Sequence, residues 1–174
     1  NDATIYATPV AGFYCPTRRA PLIFNGYAKL DYAGCTGDNM NATGGNGAIV
    51  ERMCSSAVRL ADVIDGTSNT LVVGEKQQNI KNFGGSGGDN EPWVNSGWDQ
   101  DNIRFGSLTS TPAPDSDYPA EPPTYWSTRF GGSHPSAFNA AFLDGSVRAI
   151  NYAVNAENFR RMCVRNDNMT VELP

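Results

Sequence analysis

The sequence contains a single histidine, His134, among its 174 residues, and this scarcity limits the acid–base chemistry available to the chain. It has no Walker-type phosphate loop, no His-Glu-x-x-His motif and no dinucleotide-binding glycine fingerprint. Ser133 precedes His134, but neighbours in sequence seldom face each other as nucleophile and base. The sequence therefore predicts a protein that is not an enzyme.

Charged residues are also scarce, at 18% of the chain, and the net charge is −5. Lysine and arginine do not cluster, so we expect no nucleic-acid partner. No apolar run has the length of a membrane-spanning helix, and no signal peptide is visible at the first residues. The sequence thus has the pattern of a mature or truncated chain.

Turn-forming residues are abundant, with 18 glycines and 11 prolines. This composition favours short strands and long loops over a helical bundle, and the chain is long enough for one domain with a real core. We predict an α+β fold over residues 1–174, with a β-rich antiparallel sheet, long loops and short helices.

The strongest local signal is Asp144-Gly145 between two alternating apolar runs, which predicts a β-hairpin. A two-residue type I′ loop would pair Phe142 with Val147. The resulting core face would contain Phe138, Ala140, Phe142, Val147 and Ala149.

Three further elements are predicted from pattern. Thr70–Glu75 is a β-branched run typical of a central strand, and Asn155 can cap a final helix with Phe159, Met162 and Cys163 on one face. Between residues 65 and 69, polar groups favour a hydrogen-bonded turn, which includes Asp65, Gly66 and Asn69.

The four cysteines contain no Cys-x-x-Cys pair, which argues against a structural zinc site. An even number in a chain of low charge favours an exported protein with up to two disulfides. We favour Cys35 with Cys54, which would close a loop with little core, and then Cys15 with Cys163. Buried free thiols are the alternative.

Residues 82–123 have a loop-like composition, and loops of this length are often functional. Asp99 and Asp101 place oxygen ligands at alternate positions, as at the start of a calcium loop; a solvated acidic loop without calcium is the alternative. The aromatic side chains either cover the core or form a platform for a sugar or another subunit. These candidates are Trp93, Trp98, Tyr118 and Trp126.

We interpret His134 as the anchor of a turn, hydrogen-bonded to a carboxylate such as Asp144 or Glu75. In this interpretation His134 and Asp144 define one structural corner of the domain.

The spacing from His134 to Asp144-Gly145, with nine residues between them, resembles the H-X9-DG element of a large planctomycete family of prepilin-processed proteins. This family is the DUF1559 or family-10 solute-binding-protein-like group. Three other stretches resemble it in the same order, and with the hairpin they span nearly the whole chain. They are residues 13–19 (FYCPTRR), 31–34 (DYAG) and 64–76 (IDGTSNTLVVGEK).

This resemblance implies a protein similar to type IV pilins and pseudopilins, with a cleaved leader, a hydrophobic helix and a β-rich head. The sequence begins within that head, so we expect the N-terminal helix and the first part of the head to be missing from it. The resemblance implies an extracellular or cell-surface subunit that associates with itself or with other pilin-like subunits, and that contacts a membrane only through the missing helix. The alternative is an extracellular module that binds carbohydrate through the tryptophan-rich loop.

Overall fold

The computed structural model describes residues 3–43, 45–85, 87–94, 97–116 and 125–172. Tyr118, one of the predicted ligand-binding residues, lies outside these ranges. Within these ranges the α-helices are α1 (Ala3–Tyr6), α2 (Tyr125–Thr128) and α3 (Ala156–Cys163). The strands are β1 (Ile23–Phe24), β2 (Tyr27–Ala28), β3 (Tyr32–Cys35), β4 (Leu71–Glu75), β5 (Ile103–Arg104), β6 (Ala113–Pro114), β7 (Gly131–Gly132), β8 (Ala137–Phe142) and β9 (Val147–Asn151).

A five-stranded sheet with the order β5-β3-β4-β8-β9 organises the fold. Three of its four pairings are antiparallel, and only β5 runs parallel to its neighbour β3. The predicted α+β class is confirmed, and so is the prediction that the run ending at Glu75 forms a central strand. The predicted long loop contains β5 and β6, two strands of two residues each.

Helix α3 packs on this sheet and completes the core. Asn155 caps the helix, since its side-chain oxygen accepts hydrogen bonds from the backbone N–H groups of Glu157 and Asn158. The predicted apolar face is confirmed, because Phe159, Met162 and Cys163 are all buried. In the described ranges, no helix has the length and apolar character needed to cross a membrane.

The predicted hairpin exists, but its predicted register is wrong by one residue. Val147 pairs with Ala141 rather than with Phe142. The N–H of Gly145 donates to the carbonyl of Phe142, and the N–H of Phe142 donates to the carbonyl of Ser146. Only Gly145 has a positive φ in this turn, at 84°. The connection is therefore a three-residue loop with a glycine bulge, not a type I′ turn.

The extra loop residue reverses the faces of β9, because a slip of one residue moves each side chain to the other side of the sheet. Ile150 is 1% exposed and lies in the core, whereas Val147 is 69% exposed. The predicted core positions on β8 are correct, and those on β9, Val147 and Ala149, are wrong.

This register makes a direct prediction for stability. Ile150→Val removes one buried methylene group and is expected to cost about 0.5–1.5 kcal/mol of unfolding free energy. Val147→Ala removes more carbon, yet it is expected to change stability by less than about 0.5 kcal/mol because the side chain is exposed. Urea unfolding of the two variants measures this difference, and a larger loss for Val147→Ala would contradict the register.

The structure contradicts both predicted disulfides, since all four cysteines are free. Cys35 points from β3 towards the end of α3, where its Sγ lies 3.6 Å from the carbonyl oxygen of Cys163. Cys54 is exposed on the surface. Sequence spacing suggested a loop closure between Cys35 and Cys54, but helix packing instead brings Cys35 beside Cys163. Burial raises the pKa of the Cys163 thiol well above its usual value.

Candidate functional site

Three side chains with metal-binding or acid–base chemistry converge at one end of the central strands. They are Cys15, Glu75 and His134, and their ligand atoms all lie within 4.8 Å of one another. Cys15 follows the short 3-10 helix Ala11–Phe13, Glu75 ends β4, and His134 lies between β7 and β8. Each comes from a different one of the segments that carry the family resemblance.

One nitrogen of the histidine is at the centre of the site. The Nε2 atom of His134 lies 3.2 Å from Oε1 of Glu75 and 3.9 Å from Sγ of Cys15. It also lies 3.1 Å from the side-chain amide nitrogen of Asn139. Of the two carboxylates considered as partners of His134, the structure therefore places Glu75 beside it.

The site is shielded from water on the side of the cysteine and the glutamate. Cys15 is 2% exposed and Glu75 is 1% exposed, whereas the side chain of His134 is 29% exposed. The second carboxylate oxygen of Glu75 accepts the backbone N–H of Asn139 at 2.7 Å. Burial, with a hydrogen bond to Glu75 and the charge of that carboxylate, raises the pKa of the Cys15 thiol. This is the opposite of the shift that activates a nucleophilic cysteine.

The geometry also differs from that of a catalytic triad. In a triad, the two ring nitrogens of histidine contact the nucleophile and the acid separately. Here the same nitrogen of His134 faces both Cys15 and Glu75. Ser133 is occupied elsewhere, because its hydroxyl donates to Oδ2 of Asp115 at 2.6 Å. Cys15 and Glu75 therefore converge on one ring nitrogen of His134, which is not the geometry by which a triad relays a proton.

A network of buried ion pairs lies next to the site and contacts the backbone of Cys15. The side chain of Arg18 is fully buried, and its Nε donates to Oδ2 of Asp115 at 2.7 Å. Its NH1 lies 3.5 Å from Oδ1 of Asp31, whose other oxygen accepts the backbone N–H of Cys15 at 2.8 Å. The network thereby holds the backbone beside the cysteine in place.

Arg19 extends this network in the opposite direction. Its guanidinium contacts Asp31 at 2.5 Å and Asp89 at 2.7 Å, and it stacks over the rings of Phe24 and Phe83. Burial alone would raise the pKa of Asp89, but hydrogen bonds and the charge of Arg19 hold it below its usual value. Two guanidinium groups therefore face three carboxylates, including Asp115, in the protein interior.

The depressed pKa of Asp89 predicts sensitivity to acid. A carboxyl group whose pKa is lower in the folded state adds stability above its unfolded pKa, near 4, and loses that stability as pH falls through the folded value. We expect the free energy of unfolding to decline steadily below about pH 4. Asp89→Asn should make this decline less steep, as measured by urea unfolding at several pH values, and an unchanged slope would contradict the assignment.

A second buried group ties the long loop to the end of β4. The ammonium of Lys76 donates to the carbonyls of Gly88 and Asp101 at 2.9 and 2.8 Å. Burial and the nearby charge of Arg104 lower the pKa of Lys76 to about 7, and burial raises the pKa of Asp101 to about 6.

The predicted calcium ligands take part in this loop structure. Oδ1 of Asp99 accepts the backbone N–H of Asp101 at 2.8 Å, and Oδ1 of Asp101 accepts that of Glu91 at 3.1 Å. Asp101 is only 4% exposed. Asp99 and Asp101 do not belong to a cluster with the dimensions of a metal site; in the ranges that the structure describes, Cys15, Glu75 and His134 form the only one.

The three described tryptophans bind different parts of the chain. Trp93 packs against Phe13, with ring centroids 5.2 Å apart, and its indole N–H donates to the carbonyl of Thr8. The indole N–H of Trp98 donates to the carbonyl of Met40 at 2.7 Å. Trp126 is 6% exposed. Trp126 is therefore buried, whereas Trp93 and Trp98 are half-buried and hold loop segments together through their indole N–H groups.

The remaining predicted motif residues gather at the far end of β8. The N–H of Asp144 donates to the carbonyl of Thr67, and the side-chain amide of Asn69 donates to the carbonyl of Asp65. Gly66 has a φ of 95°, and Gly145 has the positive φ already described. The turn of residues 65–69 and the hairpin loop therefore contact each other.

The prediction that His134 and Asp144 form one corner is wrong. Strand β8 separates them, and six residues of strand span about 20 Å. The spacing between the two residues is instead the length of a strand that joins the histidine site to the hairpin. β4 runs antiparallel beside it, so Glu75 reaches His134 at one end while residues 65–69 reach Asp144 at the other.

Sequence reasoning missed the role of Cys15 in this site and the pairing of Arg18 and Arg19 with buried carboxylates. Cys15 and His134 are 119 positions apart, so no local pattern joins them. The adjacent arginines are visible in the sequence, but nothing local shows that they are buried, and arginine is rarely buried unless it is paired.

One comparison with known proteins identifies a family. A family model described as a protein of unknown function, DUF1559, matches residues 2–157. No curated protein and no solved structure matches the chain.

Proposed function

Since this chain belongs to the DUF1559 family, we propose that it is a non-enzymatic subunit of an extracellular or cell-surface assembly, built like the head of a type IV pilin. The observation that carries the proposal is the use of the polar motif residues. Arg18 and Arg19 bind carboxylates in the interior, and Asp65, like Asp144, accepts hydrogen bonds from nearby backbone. The motifs therefore stabilise a fold, as expected of a structural subunit.

The H-X9-DG element has a structural explanation in this proposal. Its histidine and its Asp-Gly turn mark the two ends of β8, and the IDGTSNTLVVGEK segment supplies the neighbouring strand β4. Together they form the centre of the sheet, which any head domain needs whatever its surface binds. The family resemblance supports a planctomycete source and assembly with itself or other pilin-like subunits.

The N-terminus of the full gene product tests this proposal. A cleavable leader followed by a long hydrophobic helix would support the pilin-like class, and a gene product without both would contradict it. Electron microscopy of native material with an antibody against this head supplies the second test. Label on fibres or on the cell surface is expected, whereas label confined to the cytoplasm would refute the proposal.

Carbohydrate binding is the second proposal, and it has weaker support. The indole N–H groups of Trp93 and Trp98 are donated to backbone carbonyls, so these rings would offer only their faces to a sugar. Calorimetric titration with oligosaccharides, with and without calcium, provides the test. Binding that Trp98→Ala abolishes would favour this proposal, and an absence of heat in both conditions would remove it.

A further inference from the structure

We propose that Cys15, Glu75 and His134 form a binding site for a zinc-type divalent cation. The proposal concerns metal binding rather than assembly, and its test is independent of the assembly function. It is carried by the convergence of a sulfur, an oxygen and a nitrogen ligand on one point of the structure.

The distances between these ligand atoms are close to those of a zinc site. Tetrahedral zinc with ordinary bond lengths separates nitrogen from oxygen ligands by about 3.4 Å and nitrogen from sulfur ligands by about 3.6 Å. The corresponding separations here are 3.2 Å between His134 and Glu75 and 3.9 Å between His134 and Cys15. Shifts of a few tenths of an ångström would bring these two separations to bonding geometry, and the third, between Sγ of Cys15 and the carboxylate of Glu75, is no more than 4.8 Å.

The mixed ligand set also selects the metal. Thiolate and imidazole ligands favour zinc and its neighbours over calcium and magnesium, which prefer oxygen. Asn139 lies beside the same histidine nitrogen. The fourth ligand would be its amide oxygen or a water molecule.

The charges around the site are suited to a cation. A thiolate and a carboxylate together carry two negative charges, which a divalent cation neutralises. The neighbouring Arg18 already has Asp31 and Asp115 as partners, so its positive charge is balanced. Binding forms a metal–sulfur bond and releases the thiol proton of Cys15 to solvent.

The surroundings hold two of the ligands in position before any metal binds. The backbone N–H of Cys15 is fixed by Asp31, and Glu75 is fixed by the backbone of Asn139. His134 is the exposed member, so a metal would enter on its side. Such outer contacts commonly change metal affinity by about 10–100-fold.

The experiment uses the full chain after dialysis against a chelator. Zinc is titrated by calorimetry, and cobalt is added separately because a cobalt–thiolate bond gives a charge-transfer band in the near ultraviolet. We expect one zinc per chain and a thiolate band with cobalt. Cys15→Ser should abolish the band and weaken zinc binding at least tenfold, and Cys54→Ser, at an exposed cysteine, should change neither.

His134→Ala provides the second variant, because this partly exposed residue can be removed even if Cys15→Ser fails to fold. It should weaken zinc binding at least tenfold while circular dichroism shows a folded protein. Three results would overturn the proposal: no zinc binding by the wild type, a thiolate band lost in Cys54→Ser, or unchanged zinc affinity in His134→Ala.

Discussion

Arg18→Met is expected to lower the free energy of unfolding by about 3–5 kcal/mol, because removing one partner of a buried ion pair leaves the other charge uncompensated. The guanidinium of Arg18 is fully buried and contacts both Asp115 and Asp31. It also donates to the carbonyl of Lys76 at 2.6 Å, at the end of β4. Methionine preserves much of the side-chain volume, so the loss would come from charge and hydrogen bonding rather than from a cavity.

Arg59→Met is the matched control. Arg59 pairs with Asp62 at 2.7 Å, but its side chain is 78% exposed. Exposed pairs contribute about 0–1 kcal/mol, so we expect a small change in this variant. Arg18→Lys should give an intermediate loss, because lysine restores the charge without the planar fork. Equal midpoints for Arg18→Met and Arg59→Met in urea unfolding would show that the network adds no net stability.

The elements with strong local patterns were predictable from the sequence. The β-branched run before Glu75 became the central strand β4, and Asn155 capped α3 as expected. The hairpin was located correctly, because Asp144-Gly145 and the flanking alternation are local signals. The apolar face of α3 was also correct, since helical spacing alone brings Phe159, Met162 and Cys163 together.

The register of the hairpin could not be read from the alternation of apolar residues, because it accompanies a hydrogen bond within the loop. Oδ1 of Asp144 accepts the backbone N–H of Ser146 at 2.9 Å, and this bond accompanies a three-residue loop. Asp-Gly is compatible with both loop lengths. One added residue was enough to exchange Val147 for Ile150 in the core.

The site and its ion network could not be derived from sequence for a different reason. Arg18 lies 97 positions from Asp115, and Glu75 lies 59 positions from His134. The charges are visible in the sequence, but their partners are chosen by the order of strands in the sheet. The antiparallel pairing of β4 with β8 brings Glu75 to His134, and that pairing is set by the tertiary fold rather than by local sequence.

Strand β4 also joins the site of Cys15, Glu75 and His134 to the hydrophobic core. β4 ends at Glu75 in the polar site, while its other end packs Leu71 among the buried apolar residues. Gly74 lies between these regions, and a Cβ atom there would come within 2.8 Å of the ring of Phe130. The strand therefore carries a glycine where the aromatic core approaches the backbone, one residue before the carboxylate of the site.

Phe159→Ala tests that aromatic core and is expected to cost about 3–5 kcal/mol. The ring of Phe159 is fully buried, with its centroid 6.2 Å from that of Phe130 and 6.1 Å from that of Phe138. Both contacts are nearly perpendicular, an arrangement that aromatic rings favour. Gly106 makes room for the ring, since a Cβ atom there would lie 2.6 Å from it. Alanine would leave a cavity between α3 and the sheet.

Leu60→Ala is the matched control for this loss, because Leu60 is 69% exposed, and a change within about 0.5 kcal/mol is expected. Combining Phe159→Ala with Phe138→Ala tests the contact itself. Residues in direct contact show coupling of about 0.5–3 kcal/mol, so the double variant should differ from the sum of the single losses. Additive losses would mean that α3 is held to the sheet by its other contacts. A cost below about 1 kcal/mol for Phe159→Ala would mean the same, because about 3–5 kcal/mol is usual for a buried ring.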